Sequence, residues 1–83
     1  MTTAQLSFDD AKNEAENLYL AWVGSMGTGR NRRLDAKNAL LAYVNEWSSG
    51  FPTRRKKMHA FLNMLLAETF GEAADDAAAH LGV

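Results

Sequence analysis

The chain has 83 residues, of which 23% are charged and 47% hydrophobic; it has no cysteine and a formal net charge of −1. Those values fit one globular domain and argue against a disordered chain, a disulfide scaffold or a thiolate site. The apolar runs fall short of the ~20 residues a membrane span needs, and the start MTTAQLSFDD lacks a basic-then-apolar leader, so an intracellular, cytoplasmic protein is expected.

The near-neutral total hides a polarised chain. Residues 1–29 carry Lys12 against Asp9, Asp10, Glu14 and Glu16, a net of −3. Residues 30–57 carry eight bases against Asp35 and Glu46, a net of +6. Residues 58–83 carry Glu68, Glu72, Asp75 and Asp76, a net of −4. A basic middle between two acidic flanks is the clearest electrostatic feature of the sequence.

Residues 1–6 read as a loose tail ahead of a single domain, 7–83. Ser7 stands three residues before Asp10, a variant of the capping box, and Asp9 and Asp10 suit the positive end of a helix dipole. Phe8, Ala11, Ala15, Leu18 and Trp22 then recur at helical spacing, which predicts a helix over about 8–23. Three glycines in Gly24-Ser-Met-Gly-Thr-Gly29 break it, each costing about 1 kcal/mol against alanine in a helix. A second helix is expected over about 32–48, with Ala36, Ala39, Leu40, Tyr43, Val44 and Trp47 on one face. Leu34 and Leu41 fall to one side and require another neighbour. Gly50 suits a left-handed cap and Phe51-Pro52 ends that helix.

A third helix is expected over about 54–70, with Thr53 as its N-cap. It is apolar around most of its circumference. Met58, Phe61, Leu62, Leu65, Leu66 and Phe70 form the main arc, and Ala60, Met64 and Ala67 lie behind. A short alanine-rich fourth helix is expected over about 72–80, between Gly71 and Gly82. No stretch alternates with period two, so the fold class is all-α: a compact bundle of three main helices plus a short C-terminal one.

The third helix opens on Arg54, Arg55, Lys56 and Lys57. Cations there oppose the helix dipole, so stability alone would favour acids. Either this foot binds an external anion, or Asp9, Asp10 and Glu46 neutralise it, since an up-down-up bundle brings all three to the same end. Arg30, Arg32 and Arg33 form a second basic cluster, about 25 Å away by helix rise; there Glu68 and Glu72 are the expected internal partners. For the apolar surplus, Leu34, Leu41, Met58 and Met64 are candidate interface residues. A short fourth helix could cover the back of the third, or a C2 homodimer or a partner could bury it.

No chemistry-bearing motif emerges. The glycine turn lacks the Gly-Lys-Ser/Thr of a phosphate loop, and Gly-x-Gly-x-x-Gly is absent. Trp22-Val23-Gly24 resembles the Trp-x-Gly turn of small secreted helical-hairpin proteins, but over three residues only, and with a third helix following. His59 and His80 stand apart, and Glu72, Asp75 and Asp76 do not converge, so no metal site, cofactor or catalytic constellation is expected. The leading expectation is a non-enzymatic inhibitor or regulator that binds a protein partner through the basic foot and an apolar helix face. In general character the chain resembles the small inhibitors and regulators encoded by phages and other mobile elements. The alternative is a nucleic-acid-binding protein that contacts phosphates through Arg54, Arg55, Lys56 and Lys57. Against it, Met58 to Phe70 is too apolar for a groove-reading helix.

Overall fold

Ser7 starts the first helix, as its spacing to Asp10 suggests. Its Oγ accepts a hydrogen bond from the Asp10 N–H at 3.2 Å. In the computed structural model, which describes residues 2–83, the helices are α1 (Phe8–Gly24), α2 (Arg30–Ser48), α3 (Pro52–Phe70) and α4 (Ala74–Leu81). Two 3-10 turns, Thr3–Gln5 and Gly71–Ala73, precede α1 and α4. No strand forms among the described residues, and none of their helices is long and apolar enough to cross a membrane. The all-α fold, with three main helices and a short fourth one, is as the periodicity predicts.

Three helix starts differ from the sequence expectation; α4 begins at Ala74 rather than 72, because Gly71–Ala73 forms a 3-10 turn. α2 begins at Arg30 rather than 32, because Gly29, at φ 121°, takes the N-cap position. α3 begins at Pro52 rather than 54, with Phe51 as N-cap. Proline suits the first helical position, since its φ is preset and its missing N–H would have no partner there. Thr53 is therefore inside the first turn and caps nothing. The early start also puts Lys56 and Lys57 beyond that turn, where the dipole opposes them less.

The core is one cluster. Ala11, Ala15, Tyr19 and Trp22 from α1 meet Leu40, Val44 and Trp47 from α2, and Met58, Leu62, Leu65 and Leu66 from α3. Ala77 and Leu81 of α4 close it. The two small alanines of α1 let a neighbouring backbone approach, while Tyr19 and Trp22 fill the space at the other end. Ala39 of the expected α2 face is exposed instead.

The apolar circumference of α3 is largely concealed within one chain. Met58 is 0% exposed, so it is core rather than interface. It shares an arc with Leu62, Leu65 and Leu66, which is the arc the other helices cover. Gly71, at φ 57°, ends α3 and turns the chain back so that α4 packs on it. Of the large apolar side chains on α3, Met64 remains exposed, at 49%. Leu41 is half-buried; a methyl group added at Gly82 would stand 3.9 Å from its Cδ1, so the end of α4 supplies the neighbour it required.

The segment before α1 is docked. Trp47 Nε1–H donates to the Leu6 carbonyl at 3.0 Å. Arg54 donates to the Ala4 carbonyl at 2.7 Å, and the Thr2 N–H donates to Gln5 Oε1 at 3.0 Å. A loose tail is expected over 1–6 from composition; Met1 lies outside the described residues. The rest forms a local turn that Trp47 and Arg54, more than forty positions away, fasten to the bundle, which no local pattern reports.

Candidate functional site: the basic foot of the third helix

The start of α1, the end of α2 and the start of α3 meet at one end of the bundle. The Phe8 and Trp47 rings lie 5.8 Å apart, and Lys57 Nζ stands 6.0 Å from the Phe8 ring centre. Up-down-up packing thus brings together the groups the sequence suggested. It does not pair their charges. Among the described residues the one ion pair within 4.0 Å is Lys12 with Asp9, at 3.7 Å, inside α1. Neither Asp10 nor Glu46 reaches a cation of the foot.

The four cations divide. Arg54 is half-buried and turned inward. Its guanidinium donates to the Ala4 carbonyl and, at 3.0 Å, to the Trp47 carbonyl. It also lies 4.2 Å from the Phe51 ring centre and 5.1 Å from that of Trp47. Arginine forks and stacks in this way where lysine cannot. Its role is to fasten three segments, so it leaves the anion-facing set. Arg55, Lys56 and Lys57 are exposed. Phe51, three residues before Arg54, is the sequence signal that could have marked this arginine as the one that folds inward.

His59 stands one turn after Arg55 and is half-buried. Burial, and then the nearby Arg55 charge, hold its pKa below the usual histidine value of 6.5. The imidazole is therefore neutral at pH 7, and the positive charge of this face comes from Arg55, Lys56 and Lys57. A shallow depression along α3 runs past Arg55, Lys56, His59 and Asn63. Phe51, 49% exposed, adds an aromatic edge beside it.

The second basic cluster is remote from the first. Arg30, Arg32 and Arg33 are exposed at the start of α2, and the foot adjoins the end of that helix. Nineteen residues of α2 separate them by about 28 Å. Glu68 and Glu72 make no ion pair with the three arginines. Arg33 and Leu34 instead border a cleft with Met26 and Lys37, a grouping that chain order does not reveal. No group of three His, Cys, Asp or Glu residues that could hold a metal occurs among the described residues.

Comparison of the chain with family models, with curated proteins and with solved structures finds no match.

Proposed function

We propose that the protein is a non-enzymatic interaction protein that binds an acidic surface of a protein partner through the foot of α3. One observation carries this: Arg55, Lys56 and Lys57 are exposed and have no carboxylate within 4.0 Å among the described residues. Arg55 in particular sits in the first turns of the helix, where the dipole disfavours it. Folding gives it no compensating ion pair. A cation placed at a cost to its own helix gains its stabilisation on binding. The docked Arg54 holds the other three in register, and the neutral His59 and exposed Phe51 allow contact with a surface that is not purely ionic.

Complementary charge of this kind acts mainly on association rate and partner choice, and it weakens with salt. The test is capture from a cell lysate treated with nuclease, with wild type and with Arg55→Glu, Lys56→Glu, Lys57→Glu as baits. A protein held by the wild type at 50 mM salt and lost with the variant is the expected result. Equal capture by both removes the foot from the function. A parallel titration with fluorescent duplex DNA and single-stranded RNA separates the alternative. Tight binding there, falling steeply with salt and abolished by the variant, would replace an acidic protein with phosphates as the ligand.

A further inference from the structure

A cleft lies at the end of the bundle away from the foot, with a volume of about 480 Å³. That is within the range of about 300–1,000 Å³ typical of small-molecule sites. Trp22 and Phe70 form its floor, packed edge to face with ring centres 6.1 Å apart. Met26 and Leu34, 39% and 38% exposed, form one apolar wall. Ala73 and Ala77 stand on the other side, and their small side chains leave the space open. The sequence thus puts large apolar groups on α1, α2 and the end of α3, and fails to fill the gap from α4.

The rim is asymmetric. Arg33 and Lys37 border the cleft from α2, four residues apart and so on one face of that helix. Neither has a carboxylate within 4.0 Å among the described residues. Asp76 and His80 stand on the opposite rim, from α4. A ligand with one negative end fits at the Arg33–Lys37 side, whereas a second negative charge would face Asp76. The concavity is bounded by three parts of the same chain, which suits a compact body better than a flat protein surface.

We propose that this cleft binds a small amphipathic monoanion: an aromatic or branched-aliphatic body on Trp22, Phe70 and Leu34, with its carboxylate or sulfonate at Arg33 and Lys37. The proposal is independent of the basic foot, since no residue is shared and the two sites occupy opposite ends of α2.

The test uses two dyes with similar apolar bodies, 8-anilinonaphthalene-1-sulfonate and the uncharged N-phenyl-1-naphthylamine, with the full chain labelled with nitrogen-15. The chain has two tryptophans, so each indole N–H is a separate reporter. Both dyes are expected to shift the Trp22 signal and leave that of Trp47 in place. The sulfonate is expected to bind about fivefold more tightly, the size of effect two solvent-exposed ion pairs can give. In Arg33→Gln, Lys37→Gln that advantage disappears while N-phenyl-1-naphthylamine binds as before, which also shows that the variant is folded. If the variant unfolds, the wild type at 0.5 M salt replaces it, and the sulfonate must lose its advantage there. Equal affinity for the two dyes, or a shift confined to Trp47, overturns the proposal. So does a Trp22 signal that changes on dilution without dye while light scattering reports a dimer, because the cleft then holds a second copy of the chain.

Discussion

Arg54 and Arg55 are neighbours in sequence and opposites in use. Arg54 makes two hydrogen bonds to carbonyls and stacks on two rings. Arg54→Ala is expected to cost about 1–3 kcal/mol in urea unfolding, and Arg54→Lys to recover little of it. Arg55→Ala is expected to stay within about 0.5 kcal/mol of wild type. Equal costs at the two positions would mean that the inward role assigned to Arg54 is wrong. The two tyrosines make a similar contrast. Tyr19 Oη–H is shared between the Leu65 carbonyl, at 3.1 Å, and Thr69 Oγ1, at 2.7 Å. Tyr43 Oη is buried without a partner among the described residues. Both hydroxyls have pKa values raised first by burial. Loss of a satisfied group costs more than loss of an orphan, so Tyr19→Phe should destabilise by about 1 kcal/mol and Tyr43→Phe should be neutral or stabilising. Thermal melts of the two variants decide it.

His59 gives the pH dependence at this scale. Its folded pKa lies below 6.5, through burial first and Arg55 second. Below pH 6.5 the unfolded chain therefore takes up the proton more readily than the folded one. The contribution of His59 is fully present above pH 6.5 and is lost as pH falls through the folded value. In Arg55→Ala the second cause is gone and burial remains. The imidazole carbon-bound proton signals should then titrate at a higher pH than in wild type, though still below 6.5. An unchanged midpoint would show that Arg55 points away from the ring.

At the scale of the helices, most of the fold was legible from spacing. The stripe from Phe8 to Trp22, the glycine breaks and the apolar arc of α3 are local signals, and the structure keeps them. Helix starts were less legible, because Gly29 and Pro52 set them through backbone geometry rather than side-chain pattern. The burial of Met58 was only half legible: the spacing puts it on the main arc of α3 but does not say whether one chain covers that arc. Cover of α3 depends on its neighbours, with α4 contributing the buried Leu81 and Ala77, and periodicity alone does not choose between α4 and a partner. The candidate site was half legible: the cation run is explicit, but which cation turns inward depends on carbonyls of Ala4 and Trp47. The lack of an acid in the first turn of α3 offers a direct test. Thr53→Glu places a carboxylate in that turn and should raise stability by about 0.3–1 kcal/mol, read from the urea midpoint. It should also weaken capture by the foot. A stabilised variant with unchanged capture would separate the helix from the proposed interface.

At the scale of the whole molecule, one chain covers the helix that seemed most in need of a partner. The large apolar side chains left exposed are Leu20, Met26, Leu34, Phe51 and Met64. They lie on three helices and two connecting turns, with Met26 and Leu34 together at the cleft and the others on separate elements, whereas a self-association face would be contiguous. Light scattering over a hundredfold concentration range is therefore expected to give the single-chain mass throughout. A mass that doubles with concentration would return Met64 and Leu34 to the interface set.

The Arg54 clasp links the amino-terminal segment to the charge of the adjoining foot of α3. Proteolytic trimming to Ser7 would delete the carbonyls of Ala4 and Leu6, freeing the indole N–H of Trp47 and leaving the guanidinium only its Trp47 carbonyl and ring contacts. A clipped chain would then expose more of Arg54 beside Arg55, Lys56 and Lys57, next to a newly wetted ring. Processing of the first few residues, far from Arg55 in sequence, would thus tune how strongly the foot of α3 attracts anions.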